Sequence, residues 1–118
     1  MAFDLHPEIL PLIEERAKLP AAKNLIEERR NWATYAKASW SPPPAGMKVE
    51  DRTVKARDGH AIPVRVYTPA GGGNGGGVAY FHGGGFVKGD CESSDTTGWG
   101  LAAETGAVAV SVDYRLAP

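Results

Sequence analysis

Tyr80-Phe81-His82-Gly83-Gly84-Gly85-Phe86-Val87-Lys88-Gly89-Asp90 is the stretch on which the reading of this chain turns. It begins inside Val78-Ala79-Tyr80-Phe81, a continuous apolar run of the kind expected for a strand buried on both faces. Residues 94–105 follow, with Trp99, Leu101, Ala102 and Ala103 as apolar content, and read as a helix stopped by Gly106. Ala107-Val108-Ala109-Val110-Ser111-Val112 is then another buried strand. Strand, helix, strand implies a right-handed crossover and a parallel pair. The glycine loop therefore falls at the carboxyl end of a parallel strand, where open α/β sheets place their ligands.

Working outward, the segment before the loop is Gly71-Gly72-Gly73-Asn74-Gly75-Gly76-Gly77, a flexible connector. No Lys-Ser/Thr pair follows it, which argues against a phosphate cradle. Ile62, Val64 and Val66 alternate with Arg65 and Tyr67, predicting a strand with one buried and one wet face. Residues 47–55 alternate more weakly and are polar, as at a sheet edge. Asp58-Gly59 between the two is a hairpin signal, so they are expected to pair antiparallel. The fold class is α/β with antiparallel edge strands.

The first forty residues read as helical. Ile9, Leu10, Ile13 and Ala17 share one face; Pro7 suits a first turn, and Pro11 delays the regular helix. A second helix is expected over residues 23–40, with Leu25, Trp32, Ala36 and Trp40 on one face and Arg30 and Asn31 solvated. The two tryptophans read first as packing residues and second as pocket walls. Ser41-Pro42-Pro43-Pro44 ends the helix. This divides the chain into a helical segment, 1–45, and a sheet segment, 46–118.

Composition narrows the function classes. With 42% hydrophobic and 23% charged residues, the 118-residue chain has the makeup of one globular domain rather than a disordered tail. A net charge of −1, with both signs dispersed, argues against nucleic-acid and anionic-membrane partners. The single cysteine, Cys91, excludes an internal disulfide. No basic start followed by an apolar run opens the chain, and no apolar stretch reaches the ~20 residues of a membrane span. The expected location is cytoplasmic. The chain stops just after an apolar strand, at Tyr114-Arg115-Leu116-Ala117-Pro118, which reads as truncation of a larger domain.

Three successive glycines let peptide N–H groups approach a substrate with no side chain in the way. Acyl transfer needs such donors, because attack on an ester carbonyl puts negative charge on its oxygen. An HGGG loop of this kind serves as an oxyanion motif in α/β-hydrolase esterases. The sequence resembles the hormone-sensitive-lipase branch of that fold. Val64-Arg65-Val66-Tyr67, the loop from Tyr80 to Asp90, and Gly106 through Asp113-Tyr114-Arg115-Leu116-Ala117-Pro118 carry the resemblance, in order. The two amino-terminal helices look like that family's cap.

The resemblance implies a carboxylic ester hydrolase acting on a small acyl ester, with no cofactor and no metal, and leaves room for a homodimer at full length. By the same resemblance, Gly84 and Gly85 are oxyanion donors, with Gly83 close behind, and His82 is an anchor of the loop. Asp113 and Arg115 either brace the loop or form a solvated strand end. No Gly-x-Ser-x-Gly elbow occurs in these residues, so the Ser-acid-His triad would lie beyond Pro118, and this chain alone would be inactive. Cys91 lacks an orienting partner and reads as a bystander. A non-catalytic receptor of the same fold, binding a small carboxylate, is the alternative. A further expectation is poor solubility, from an unpaired edge at the strand ending at Val112.

Overall fold

The computed structural model describes residues 4–118; the readings that touch residues 1–3, on a leader and on the start of the helical segment, lie outside the described residues there. Pro7–Ile9 forms a 3-10 turn that runs into α1, Leu10–Ala17. Pro11 sits in the first turn of α1, where its missing N–H has no intrahelical partner to lose. Helix α2, Leu25–Ala38, starts at Asn24, whose side chain accepts the Glu27 N–H at 3.0 Å. Asn31, expected in solvent, is buried: its Nδ2 donates to Pro20 O at 2.7 Å and ties α2 to the chain that leads into it. Helical spacing locates a face, but not which face the preceding turn folds back onto.

The sheet contains β1 (Lys48–Lys55), β2 (Ala61–Thr68), β3 (Gly77–Phe81) and β4 (Val108–Val112), in the order β1-β2-β4-β3. β1 and β2 form the expected antiparallel hairpin, with β1 at the edge. β4 runs antiparallel to β2 and parallel to β3. Helix α3, Asp95–Thr105, supplies the crossover from β3 to β4 and ends at Gly106, whose φ is 69°.

Three strand expectations change. β4 is an interior strand, paired on both sides, so it offers no open edge. The edge strands among the described residues are the polar β1 and the apolar β3, and the solubility argument moves to β3. β3 is also not buried on both faces: Ala79 and Phe81 are exposed, Phe81 by 63%. Among the described residues α3 is the helix in contact with the strands, and it covers the other face.

The third change concerns Tyr67, expected on a wet face and found fully buried. Tyr67, Ala109 and Val78 line up in register across β2, β4 and β3, and α3 lies over that row. Tyr67, Ala109 and Ala102 of α3 form the core, flanked by Met47, Val78, Trp99 and Leu101. A Cβ on Gly98 would stand 2.5 Å from the Tyr67 ring, so the tyrosine is dry because a glycine of α3 makes room for it. Its hydroxyl donates to Asp95 Oδ1 at 2.8 Å, which meets the rule that a buried O–H finds an acceptor. Burial, and next Asp95, raise the phenol pKa far above its ordinary value.

Asp95 joins the two segments of the chain. It accepts from Arg65 Nη1 at 3.2 Å and from Trp40 Nε1 at 3.1 Å, in addition to Tyr67. Trp99 Nε1 donates to Ser41 O at 3.0 Å beside it. Trp40, read as a packing residue, is 53% exposed and meets α3 through its indole N–H.

Candidate active site

The loop after β3 is built from planar trans peptides, in which C=O and N–H point in opposite directions. Fixing a carbonyl therefore aims the next residue's N–H. His82 O accepts from Tyr114 Oη at 2.7 Å. Gly83 O lies 2.9 Å from His82 Nδ1, which donates to it when that nitrogen carries the proton. Gly84 O accepts from Val87 N at 3.2 Å and Lys88 N at 3.3 Å. Three consecutive carbonyls are thus held, and the N–H groups opposite them belong to Gly83, Gly84 and Gly85. None of these three donates a hydrogen bond within the described residues. Gly83 and Gly85 are exposed and Gly84 is half-buried.

Two glycines are required by geometry. Gly84 has φ 134°, and a Cβ there would collide with the Lys88 carbonyl. Gly89 has φ 96°, and a Cβ there would stand 2.5 Å from His82 Nδ1 and 2.8 Å from Gly83 O. Phe86 holds φ 63° without being glycine, a local strain of the kind that collects at functional sites.

His82 is 3% exposed and stacks on Tyr114, with ring centroids 4.4 Å apart. Its buried Nε2 has no hydrogen bond among the described residues, and Asp113 Oδ1 stands 4.0 Å away. Burial, then Asp90, raise the Asp113 carboxyl pKa; His82 and Arg65 act the other way. Asp113 therefore faces the loop's histidine. Arg115 does not brace the loop: its Nη1 pairs with Asp58 Oδ2 at 2.7 Å, at the β1–β2 turn. The antiparallel register explains this, since Val112 lies opposite Val64 and the chain beyond β4 runs toward the turn that precedes β2.

The sequence pattern alone assigns Tyr114 no role, yet it holds both the histidine ring and its carbonyl. The signal was available: β3 and β4 are parallel, so residues just past each strand arrive at the same sheet end. Cys91 is buried, with Sγ 3.4 Å from Ser111 O, and burial raises its thiol pKa. A raised pKa keeps the thiol protonated, the opposite of what a nucleophile needs. Trp32 packs under the Lys88 ammonium, 4.8 Å from the ring centre. Trp40 lines a cavity of about 410 Å³ between α2 and the Asp90–Ser93 segment, with Ala33, Ala36, Lys37 and Glu92; the three glycines are not among its lining residues.

Strand order, crossover and loop together define the chain as part of the α/β-hydrolase fold. A family described as the alpha/beta hydrolase fold matches residues 78–118. The chain is 37% identical over 117 residues to an arylesterase of Saccharolobus solfataricus, covering 97% of this chain and 38% of that one. It superposes on a hyperthermophilic esterase from the archaeon Pyrobaculum calidifontis with a TM-score of 0.79 and 36% identity, covering 98% of this chain and 38% of the other. An esterase of the bacterial hormone-sensitive lipase family superposes with a TM-score of 0.78 and 26% identity, over 98% of this chain and 37% of that one. The chain belongs to the α/β-hydrolase fold, and its relatives there include hormone-sensitive-lipase-like esterases. It spans 38% of the length of the arylesterase.

Proposed function

We propose that the whole protein hydrolyses small carboxylic esters through an acyl-serine intermediate, and that the loop 83–85 supplies its oxyanion donors. One observation carries this: His82 O, Gly83 O and Gly84 O are engaged, while the N–H groups of Gly83, Gly84 and Gly85 are free among the described residues. Donors fixed in this way need little reorganisation when charge develops on the ester oxygen. Gly84 and Gly85 are the leading donors, Gly83 the next, and His82 anchors the loop.

The nucleophile, acid and base come from outside these residues, which contain no Gly-x-Ser-x-Gly. The 118-residue chain then has no esterase activity of its own. Residues 1–45 act as a helical cap and 46–118 as the amino-terminal portion of the catalytic domain. The substrate is a small acyl ester, the location is cytoplasmic, no nucleic acid takes part, and the whole protein has scope to dimerise. No helix among the described residues is long and apolar enough to cross a membrane.

The test is hydrolysis of p-nitrophenyl acetate by the whole protein, with covalent trapping by an alkyl phosphonate. We expect turnover, and one serine phosphonylated per chain. A folded whole protein that neither turns over the ester nor reacts with the phosphonate, yet binds a small carboxylate, would overturn the proposal.

A further inference from the structure

We propose that Arg29 of α2 is a positioning residue for the glycine loop, coupling the helical segment to the direction of the Gly85 amide. Arg29 Nε donates to Val87 O at 2.7 Å, and Nη2 donates to Ala117 O at 2.8 Å. Ala117 N donates in turn to Phe86 O at 2.8 Å. One guanidinium thus gathers the far side of the loop and the segment after β4.

The coupling runs through two rigid units. The Val87–Lys88 peptide is fixed at its carbonyl by Arg29, and its Lys88 N–H donates to Gly84 O. Gly84 O belongs to the peptide whose N–H is that of Gly85. Because each peptide is planar, the first sets the orientation of the second. Glu28, adjacent on α2, pairs with Lys88, so neighbouring helix residues hold neighbouring loop residues. Arg29 forms no ion pair among the described residues; its charge is met by carbonyl oxygens on two separate segments. A guanidinium suits that task because its donors are spread in a fixed fork, whereas a lysine offers one point charge on a flexible stem.

The catalytic consequence rests on the esterase reading; the positional one does not. The experiment therefore has two readouts on the whole protein, for Arg29→Ala and Arg29→Lys. Deuterium exchange of the loop 83–89 is expected to quicken on the order of tenfold in both variants, from loss of charge-assisted hydrogen bonds. Exchange in β2 and β4 should stay unchanged. With p-nitrophenyl acetate, kcat should fall on the order of tenfold with KM little changed, as for a transition-state donor moved out of line. Should Arg29→Ala fail to fold, Arg29→Lys decides. Faster loop exchange in a protein without esterase activity would uphold the positioning role and sink the esterase reading. An active esterase in which Arg29→Lys leaves both loop exchange and kcat at wild-type values would overturn the inference.

Discussion

Replacing Gly84 with alanine puts the loop geometry under direct strain. At φ 134° an L-residue is poorly tolerated, and the new Cβ meets the Lys88 carbonyl, which is backbone and cannot swing aside. At 2.0 Å from that oxygen the Cβ cannot be accommodated, so the Gly84 peptide must turn, and the bonds from Val87 N and Lys88 N to Gly84 O weaken or break. Those two neutral hydrogen bonds are worth about 1 kcal/mol each, so the loss is about 1–3 kcal/mol. The same rotation misdirects the Gly84 and Gly85 amides, and loss of one oxyanion donor lowers turnover by ~10²–10³. Gly83→Ala is the internal control for stability: nothing lies within 4 Å of its Cβ, and its φ is not in the left-handed region. It should stay within about 0.5 kcal/mol of wild type. Urea denaturation and kcat/KM with p-nitrophenyl acetate, both on the whole protein, give the two numbers. Wild-type stability and rate in Gly84→Ala, or an equal loss of stability in Gly83→Ala, would refute the reasoning.

Other outcomes follow from the core and its buried polar groups. Asp95→Ala leaves the fully buried Tyr67 hydroxyl and the Trp40 N–H without their acceptor, and should cost about 1–3 kcal/mol in a denaturant titration. Because burial and Asp95 raise the Tyr67 pKa, the native state keeps a proton that the unfolded state releases above its ordinary value of 10.0. Stability should therefore fall as pH climbs past that value, by up to ~1.4 kcal/mol per unit, and Tyr67→Phe should flatten the decline. Cys91, buried with a raised thiol pKa, should resist iodoacetamide at pH 8 in the native protein and react once urea unfolds it. Rapid native alkylation, read by mass spectrometry, would contradict its placement.

The crossover and its loop were legible in the sequence because their signals are local. Gly106 stops α3 with a left-handed turn, Asp58-Gly59 closes the hairpin, and three glycines mark the loop. Strand order was not legible in the same way. Both β3 and β4 are short apolar runs, and which of them is interior depends on β2 reaching across to β4, a pairing between distant segments. Tyr67 was misplaced because alternation defines two faces without saying which one a helix covers; the gap at Gly98 decides that. The resemblance left Arg115 either bracing the loop or at a solvated strand end, and the register carries it to Asp58 at the exposed β1–β2 turn. Arg29 carries no signal of its own, since no sequence pattern pairs it with a carbonyl 58 residues on.

In the loop after β3, oxygen atoms do the holding, and the amide hydrogens of Gly83, Gly84 and Gly85 are left unengaged among the described residues. Shape is stored in the carbonyls and not in the amides. The cavity walls at Lys37 and Trp40 belong to a different part of the chain. Such a division lets those wall side chains drift while the loop keeps its shape.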